Sequence, residues 1–195
     1  MYIFDWKFKR HPYNYIGQSL LAVVTIVLIL ILLNVEIQTA LIASLGATVF
    51  SVFSMPHHFM CSSRTIAGGY IVGMAMGVLF DYLKVLLAGF VPLTYAMIIT
   101  TGFAVGAAIF IMVISNTEHP PAAGIAMGLI LNEWNASTLF FIIGAVAIIL
   151  IALRLLKPVM INLIGYEASP GRYGMKLKSP AFDEGDRIPL TTPHC

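Results

Sequence analysis

Residues Ile16–Leu33 read IGQSLLAVVTIVLILILL, eighteen residues without one charged side chain. A helix that spans a bilayer needs about 20 mostly apolar residues, within a tolerated range of roughly 17–25, and this run meets that requirement. Outward from it, the charged residues avoid the middle of the chain. Of 20 Asp, Glu, Lys and Arg residues, four lie in residues 1–15 and ten in residues 154–195. The 138 residues between hold six: Glu36, Arg64, Asp81, Lys84, Glu118 and Glu133. The 195-residue chain is 59% hydrophobic and 10% charged, with a mean hydropathy of +0.90, whereas a soluble domain averages about 25% charged residues. Six charges cannot wet a soluble fold of that length. So apolar a middle is not a disordered chain, and it lacks the basic stripe of a nucleic-acid binder. The chain reads as an all-α, polytopic transmembrane bundle whose first partner is the lipid bilayer.

Five long apolar runs are legible: Ile16–Leu33, Ile37–Ser54, Thr65 to about Phe80, Leu93–Ser115 and Leu139–Leu156. Val85–Pro92 is either the end of the third helix or an interfacial turn. A sixth run, Ala122–Leu131, is short, because ten helical residues rise only about 15 Å, half the hydrocarbon thickness. Lys7, Lys9 and Arg10 precede the first run, and Arg154, Lys157, Arg172, Lys176 and Lys178 end or follow the last. Positive charge marks the cytoplasmic side, so both termini are expected in the cytoplasm of a cell in whose inner membrane the protein sits. That requires an even number of crossings, and the spacing predicts six segments with a short or broken fifth over 120–132. The rival topology has residues 116–132 dip in and return. The expected organisation is an N-terminal tail 1–15, a transmembrane domain 16–158 and a polar, proline-punctuated, flexible cytoplasmic tail 159–195. The apolar stretch after residue 15 is too long for a cleavable signal peptide, and Cys61 and Cys195 are too far apart in environment to suggest a disulfide framework. A faint repeat pairs Gly46–Phe50 with Gly106–Phe110 and Gly73–Gly77 with Gly124–Gly128, as parallel copies about an axis along the membrane normal would.

Glycines recur at helical spacing in Gly69/Gly73/Gly77, Gly102/Gly106 and Gly124/Gly128, a pattern that lets helix backbones approach closely in lipid. The stretch Asn116-Thr117-Glu118-His119-Pro120-Pro121-Ala122-Ala123-Gly124 is the richest in chemistry. Two prolines suit a helix start, and the amides of Ala122, Ala123 and Gly124 would then point outward from its N-terminus. Free amides and the positive end of the helix dipole favour an anion. Ser62-Ser63-Arg64-Thr65 offers a second helix start, with capping hydroxyls and a guanidinium. Glu118 opposes an anion if ionised, so it is expected to pair with Arg64 or a histidine, or to be protonated. His57 and His58 are adjacent and cannot face one site together in regular structure; no zinc-type ligand spacing is present, and no metal or cofactor is expected. Asp81 and Lys84 read as an i, i+3 neutral pair. Trp134 and Tyr95 read as interfacial anchors, and Asn135-Ala136-Ser137 fits the glycosylation pattern.

His119-Pro120-Pro121 before Ala-Ala-Gly, together with Ala43-Ser44-Leu45-Gly46-Ala47 and Arg64…Gly68-Gly69, resembles the HPP family of integral membrane proteins over about residues 15–158. The resemblance implies a small multi-span protein, and some members are associated with nitrite transport. Two positions depart from the family pattern: Tyr70 stands where a histidine often follows Gly68-Gly69, and Thr65 where an asparagine often follows the arginine. The expected function is a permease or channel for a small inorganic anion, nitrite by resemblance. The anion would be held at the 62–65 and 119–124 helix starts, with Asn116, Glu118, His57, Tyr70, Gly69 and Gly73 in support. Two other classes fit less well: an intramembrane enzyme using His119 and Glu118 as acid and base, which lacks a nucleophile–base pair, and a structural subunit docking partner helices by its glycine faces. A bundle this small is also expected to self-associate as a homo-oligomer.

Overall fold

Six α-helices and one short 3-10 turn account for the regular structure in the computed structural model, which describes residues 12–32 and 39–164. The helices are α1 (Pro12–Leu32), α2 (Thr39–Ser54), α3 (Ser63–Leu87), α4 (Leu93–Ile114), α5 (Pro120–Leu131) and α6 (Ala136–Leu156), with the 3-10 turn at Phe59–Cys61 before α3. No strand occurs among the described residues. The expectations for Lys7, Lys9, Arg10, Glu36 and the tail from residue 165 onward lie outside the described residues.

By length and composition α1, α3, α4 and α6 are each apolar enough to cross a membrane, whereas α2 and α5 are shorter apolar helices. The protein is a helical membrane bundle with a short fifth segment. Several boundaries differ from those expected of hydropathy alone, because end chemistry decides them. Within the described residues α1 already runs from Pro12, four residues ahead of Ile16. α3 starts two residues before Thr65, because the Ser62 hydroxyl accepts from the Thr65 amide and caps it. It then runs unbroken through Asp81 and Lys84 to Leu87, so Val85–Leu87 belongs to the helix and the turn follows at Ala88–Phe90. α6 starts at Ala136, where Asn135 and Thr138 form a reciprocal capping box; capping is what Asn135 does here.

Contacts fix the helix directions. Along α3, Gly69 lies against His119 and Ala122, Gly73 against Ala122 and Ile125, and Gly77 against Ala126 and Leu129. Both numbers rise together, so α3 and α5 are parallel. Along α2, Leu41 lies against Gly128, Ser44 against Gly124, and Thr48 bonds to His119, so α2 runs opposite to α5. The Gln18 side-chain amide of α1 donates to Phe53 O at the end of α2 (2.6 Å) and to Ile161 O beyond α6 (3.0 Å), while the Ile161 amide donates back to Gln18 Oε1. Tyr15 donates to Leu163 O and the Leu163 amide to Ser54 O. The start of α1, the end of α2 and the segment after α6 therefore share one end of the bundle. The chain alternates in direction through six segments.

Burial follows the logic of a membrane bundle. Large apolar side chains face outward, among them Ile31, Phe103, Phe110, Phe140 and Leu155, while small residues such as Ala104, Ala108, Ala122, Ala126 and Ala145 fill the interior. Lipid supplies no hydrophobic drive between helices, so close backbone packing holds them together. The α3–α5 seam is the tightest: a Cβ added at Gly69 would lie 2.8 Å from the His119 Cβ, and one at Gly73 would fall onto the Ala122 carbonyl. Gly102 and Gly106 do not share this packing. Nothing lies within 4 Å of either position, and both sit on the exposed face of α4.

Candidate functional site

The connection from α4 to α5 turns inward rather than crossing the end of the bundle. Ser115 ends α4, and Asn116 takes a φ of 52°, a left-handed conformation that asparagine tolerates better than most residues. The chain then descends beside α3. The Ser115 carbonyl accepts from the Arg64 guanidinium (3.4 Å), Thr117 packs on Gly68, and His119 packs on Gly69. Gly69 is six residues past the start of α3, or roughly 9 Å along the axis at 1.5 Å per residue. α5 thus starts well inside the bundle.

His119 is the N-cap of α5 and is 1% exposed. Its Nδ1 lies 3.0 Å from Met60 O and its Nε2 3.0 Å from Thr48 Oγ1. A carbonyl only accepts, so the Met60 contact places the hydrogen on Nδ1 and leaves Nε2 facing the threonine hydroxyl. Thr48 Oγ1 is also 2.7 Å from the Tyr70 hydroxyl and 3.1 Å from Ser44 O. Thr48 and Tyr70 are as deeply buried as His119, and the Tyr70 and His119 rings lie 5.8 Å apart between centroids. Ser44, one turn from Thr48 on α2, donates its hydroxyl to Pro121 O and ties α2 to the first turn of α5.

The first turn of α5 is more occupied than the motif implies. Pro120 and Pro121 have no amide to offer, and the Ala122 amide donates to His119 O at 2.9 Å. Of the three amides expected to point outward, Ala122's is therefore already used by a tight first turn. Ala122 and Ala123 are buried, and Gly124 faces Ser44.

The other expected helix start stands at the end of the bundle. Ser63 and Arg64 are exposed, and Thr65 is buried with its hydroxyl within reach of Phe59 O, Met60 O and Ser62 O. The two starts are linked through Met60, whose carbonyl is within hydrogen-bond distance of both Thr65 and His119.

The HPP transmembrane-region family model matches residues 8–162. This chain belongs to the HPP transmembrane family. No curated protein and no solved structure matches it.

Several residues expected at the candidate site are engaged otherwise. Half-buried Glu118 forms no ion pair with Arg64 among the described residues, which removes one of the three states expected for it; the arginine reaches the Ser115 carbonyl instead. His57 is exposed, donates its amide to Asn162 Oδ1, and places Nε2 3.0 Å from Met160 O, which makes it part of the tie to the segment after α6. His58 accepts from the Met60 amide and stacks on Phe59, and burial holds its pKa below the usual histidine value. Among the described residues no group of three or more His, Cys, Asp or Glu side chains comes together.

The structure adds Thr48, Ser44 and the Met60 carbonyl. Two hydroxyls at i, i+4, among the five of a helix with no charged residue, were the available signal for the first two, since polar groups at membrane depth usually face a partner. Nothing in sequence singles out a backbone carbonyl.

At the opposite end of the bundle, Lys84 pairs with Asp81, donates to Ile130 O (3.0 Å), and Asp81 accepts from the Trp134 indole (2.9 Å). The expected Asp81–Lys84 pair is present, and it does more than neutralise itself. α5 is only 12 residues long, so its last carbonyls fall short of the bundle end, and the ammonium meets one of them.

Proposed function

We propose that the protein is a transporter or channel for a small inorganic anion, with nitrite the substrate suggested by family resemblance, and not an enzyme. It would work in the cell's inner membrane with both termini on the cytoplasmic side. The observation that carries this reading is the recessed start of α5, a helix N-terminus roughly 9 Å inside a membrane bundle with a buried histidine as its cap. Transporters use discontinuous helices in this way, turning the positive end of a half-helix toward an anion at membrane depth. In this reading His119, Pro120, Pro121, Ala122, Ala123 and Gly124 line the passage. Exposed Arg64, with Ser62, Ser63, Thr65 and Asn116, attracts the anion at the bundle end, while buried Tyr70 stands beside His119 and Glu118 is kept from the anion's path. Gly69 and Gly73 hold α5 against α3.

The test is flux into proteoliposomes, comparing nitrite, nitrate and chloride. Nitrite entry above the rate in empty liposomes, reduced at least tenfold by His119→Ala, is expected. Equal rates in loaded and empty liposomes for all three anions would remove the transport reading.

A further inference from the structure

We infer that His119, Thr48 and Tyr70 form a reversible hydrogen-bonded chain that binds one proton at His119 Nε2, so that a proton accompanies the anion. The coupling rests on the transport reading; the proton site does not. With Nδ1–H committed to Met60 O, only Nε2 can gain or lose a proton. When the ring is neutral, Tyr70 donates to Thr48 and Thr48 donates to Nε2. When Nε2 is protonated, it donates to Thr48 Oγ1. The threonine hydrogen then turns to Ser44 O, which lies 3.1 Å away, and no heavy atom needs to move. The Ser44 carbonyl lets the chain reverse, because it gives the Thr48 hydroxyl a second acceptor besides Nε2, with the Tyr70 hydroxyl 3.5 Å from the same oxygen.

The groups around His119 leave the added charge unmatched. α2 carries no ionisable side chain, and from α3 the ring meets Tyr70, with Arg64 exposed at the helix start. The 3-10 turn brings the Met60 carbonyl, flanked by Cys61 and His58, and the α4–α5 connection brings half-buried Glu118 next in sequence. α5 itself has no ionisable residue. No carboxylate hydrogen-bonds to His119 among its contacts. An imidazolium this deeply buried favours a counter-charge, and an anion at the start of α5 supplies one. Proton and anion binding then reinforce each other, and by linkage each raises the affinity for the other to the same extent.

Nitrogen NMR of the histidine-labelled full chain in bilayers, with His119 assigned through its neighbour Glu118, tests the site without requiring transport. Nε2 should titrate while Nδ1 keeps its hydrogen, and added nitrite should raise the midpoint. Thr48→Val removes the acceptor of the charged form and should weaken proton binding about tenfold, since hydrogen bonds to charged groups exceed neutral ones; Thr48→Ser should restore it. Tyr70→Phe removes a donor that Thr48 Oγ1 accepts in both protonation states, beside Nε2–H in the charged one, and should move the midpoint little. Rescue by the smaller serine is not what loss of packing produces. Titration at Nδ1, or a midpoint that Thr48→Val leaves unmoved, overturns the site.

Flux with an internal pH dye tests the coupling. Nitrite entry with acidification above that of empty liposomes supports it. Nitrite entry without acidification overturns the coupling and leaves the transport reading standing. No flux of any anion removes both, and the titration still decides the proton site.

Discussion

At the scale of single residues, burial sets chemistry that the sequence does not display. Cys61 is 1% exposed, and its thiol lies 3.4 Å from Ser51 O. Burial pushes its pKa up to about 11 from 9.0, against a smaller opposing pull from Lys157. Thiolate is the reactive form, so at neutral pH Cys61 should alkylate about 100-fold more slowly than an ordinary thiol. The thiol form is favoured in the folded state, so stability should fall as pH rises through about 9–11. Maleimide labelling followed by peptide mapping checks the first point, with detergent-denatured protein as the reference. Rapid labelling of Cys61 in the folded protein would contradict its burial. His119 was legible from its motif, but its partner Thr48 is 71 residues away, and no local pattern joins the two. The Ala122 amide shows the converse limit: a helix start is readable, but whether its amides are free depends on the φ and ψ of one cap residue.

At the scale of helices, hydropathy gave each segment and glycine spacing gave only half of the packing. Gly69, Gly73 and Gly77 face α5, but Gly102 and Gly106, with the same spacing, face outward. Spacing shows that a face is smooth and not what it meets. The distinction is measurable. Gly73→Ala places a methyl on the Ala122 carbonyl and should destabilise the bundle by about 1–3 kcal/mol, as overpacked sites do. Gly102→Ala meets nothing and should stay within about 0.5 kcal/mol of wild type. Unfolding in detergent at several denaturant concentrations compares them, and equal losses at both positions would refute the seam. Lys84 presents a second case, since its pairing with Asp81 was readable and its bond to the end of α5 was not. Lys84→Met leaves a largely buried carboxylate unpaired, which typically costs about 3–5 kcal/mol. Adding Asp81→Asn removes the orphaned charge and should recover much of the loss, although Ile130 O stays without its donor.

At the scale of the whole molecule, the number of crossings could be argued from charge, and the contacts supply an independent reason for an even count. Gln18 bonds both the end of α2 and the segment after α6, so the two ends of the bundle's chain meet at one end of the molecule. The short α5 still reverses the chain, because its start is recessed beside α3 and its end is met by Lys84 near the far end of that helix. A re-entrant loop over 116–132 would instead bring α6 back to the opposite end. Three exposed positions separate these topologies: Tyr13 near the start of α1, Phe90 in the α3–α4 turn and Val159 after α6, which are 86%, 88% and 81% exposed. In a background with Cys61 and Cys195 replaced by alanine, Tyr13→Cys and Val159→Cys should react with a membrane-impermeant thiol reagent from the same side of sealed vesicles. Phe90→Cys should react only from the other. Inverting the vesicles should exchange the two patterns. Labelling of positions 13 and 159 from opposite sides would break the six-segment alternation and, with it, the placement of the α5 start on the same side as the start of α1 and the end of α6.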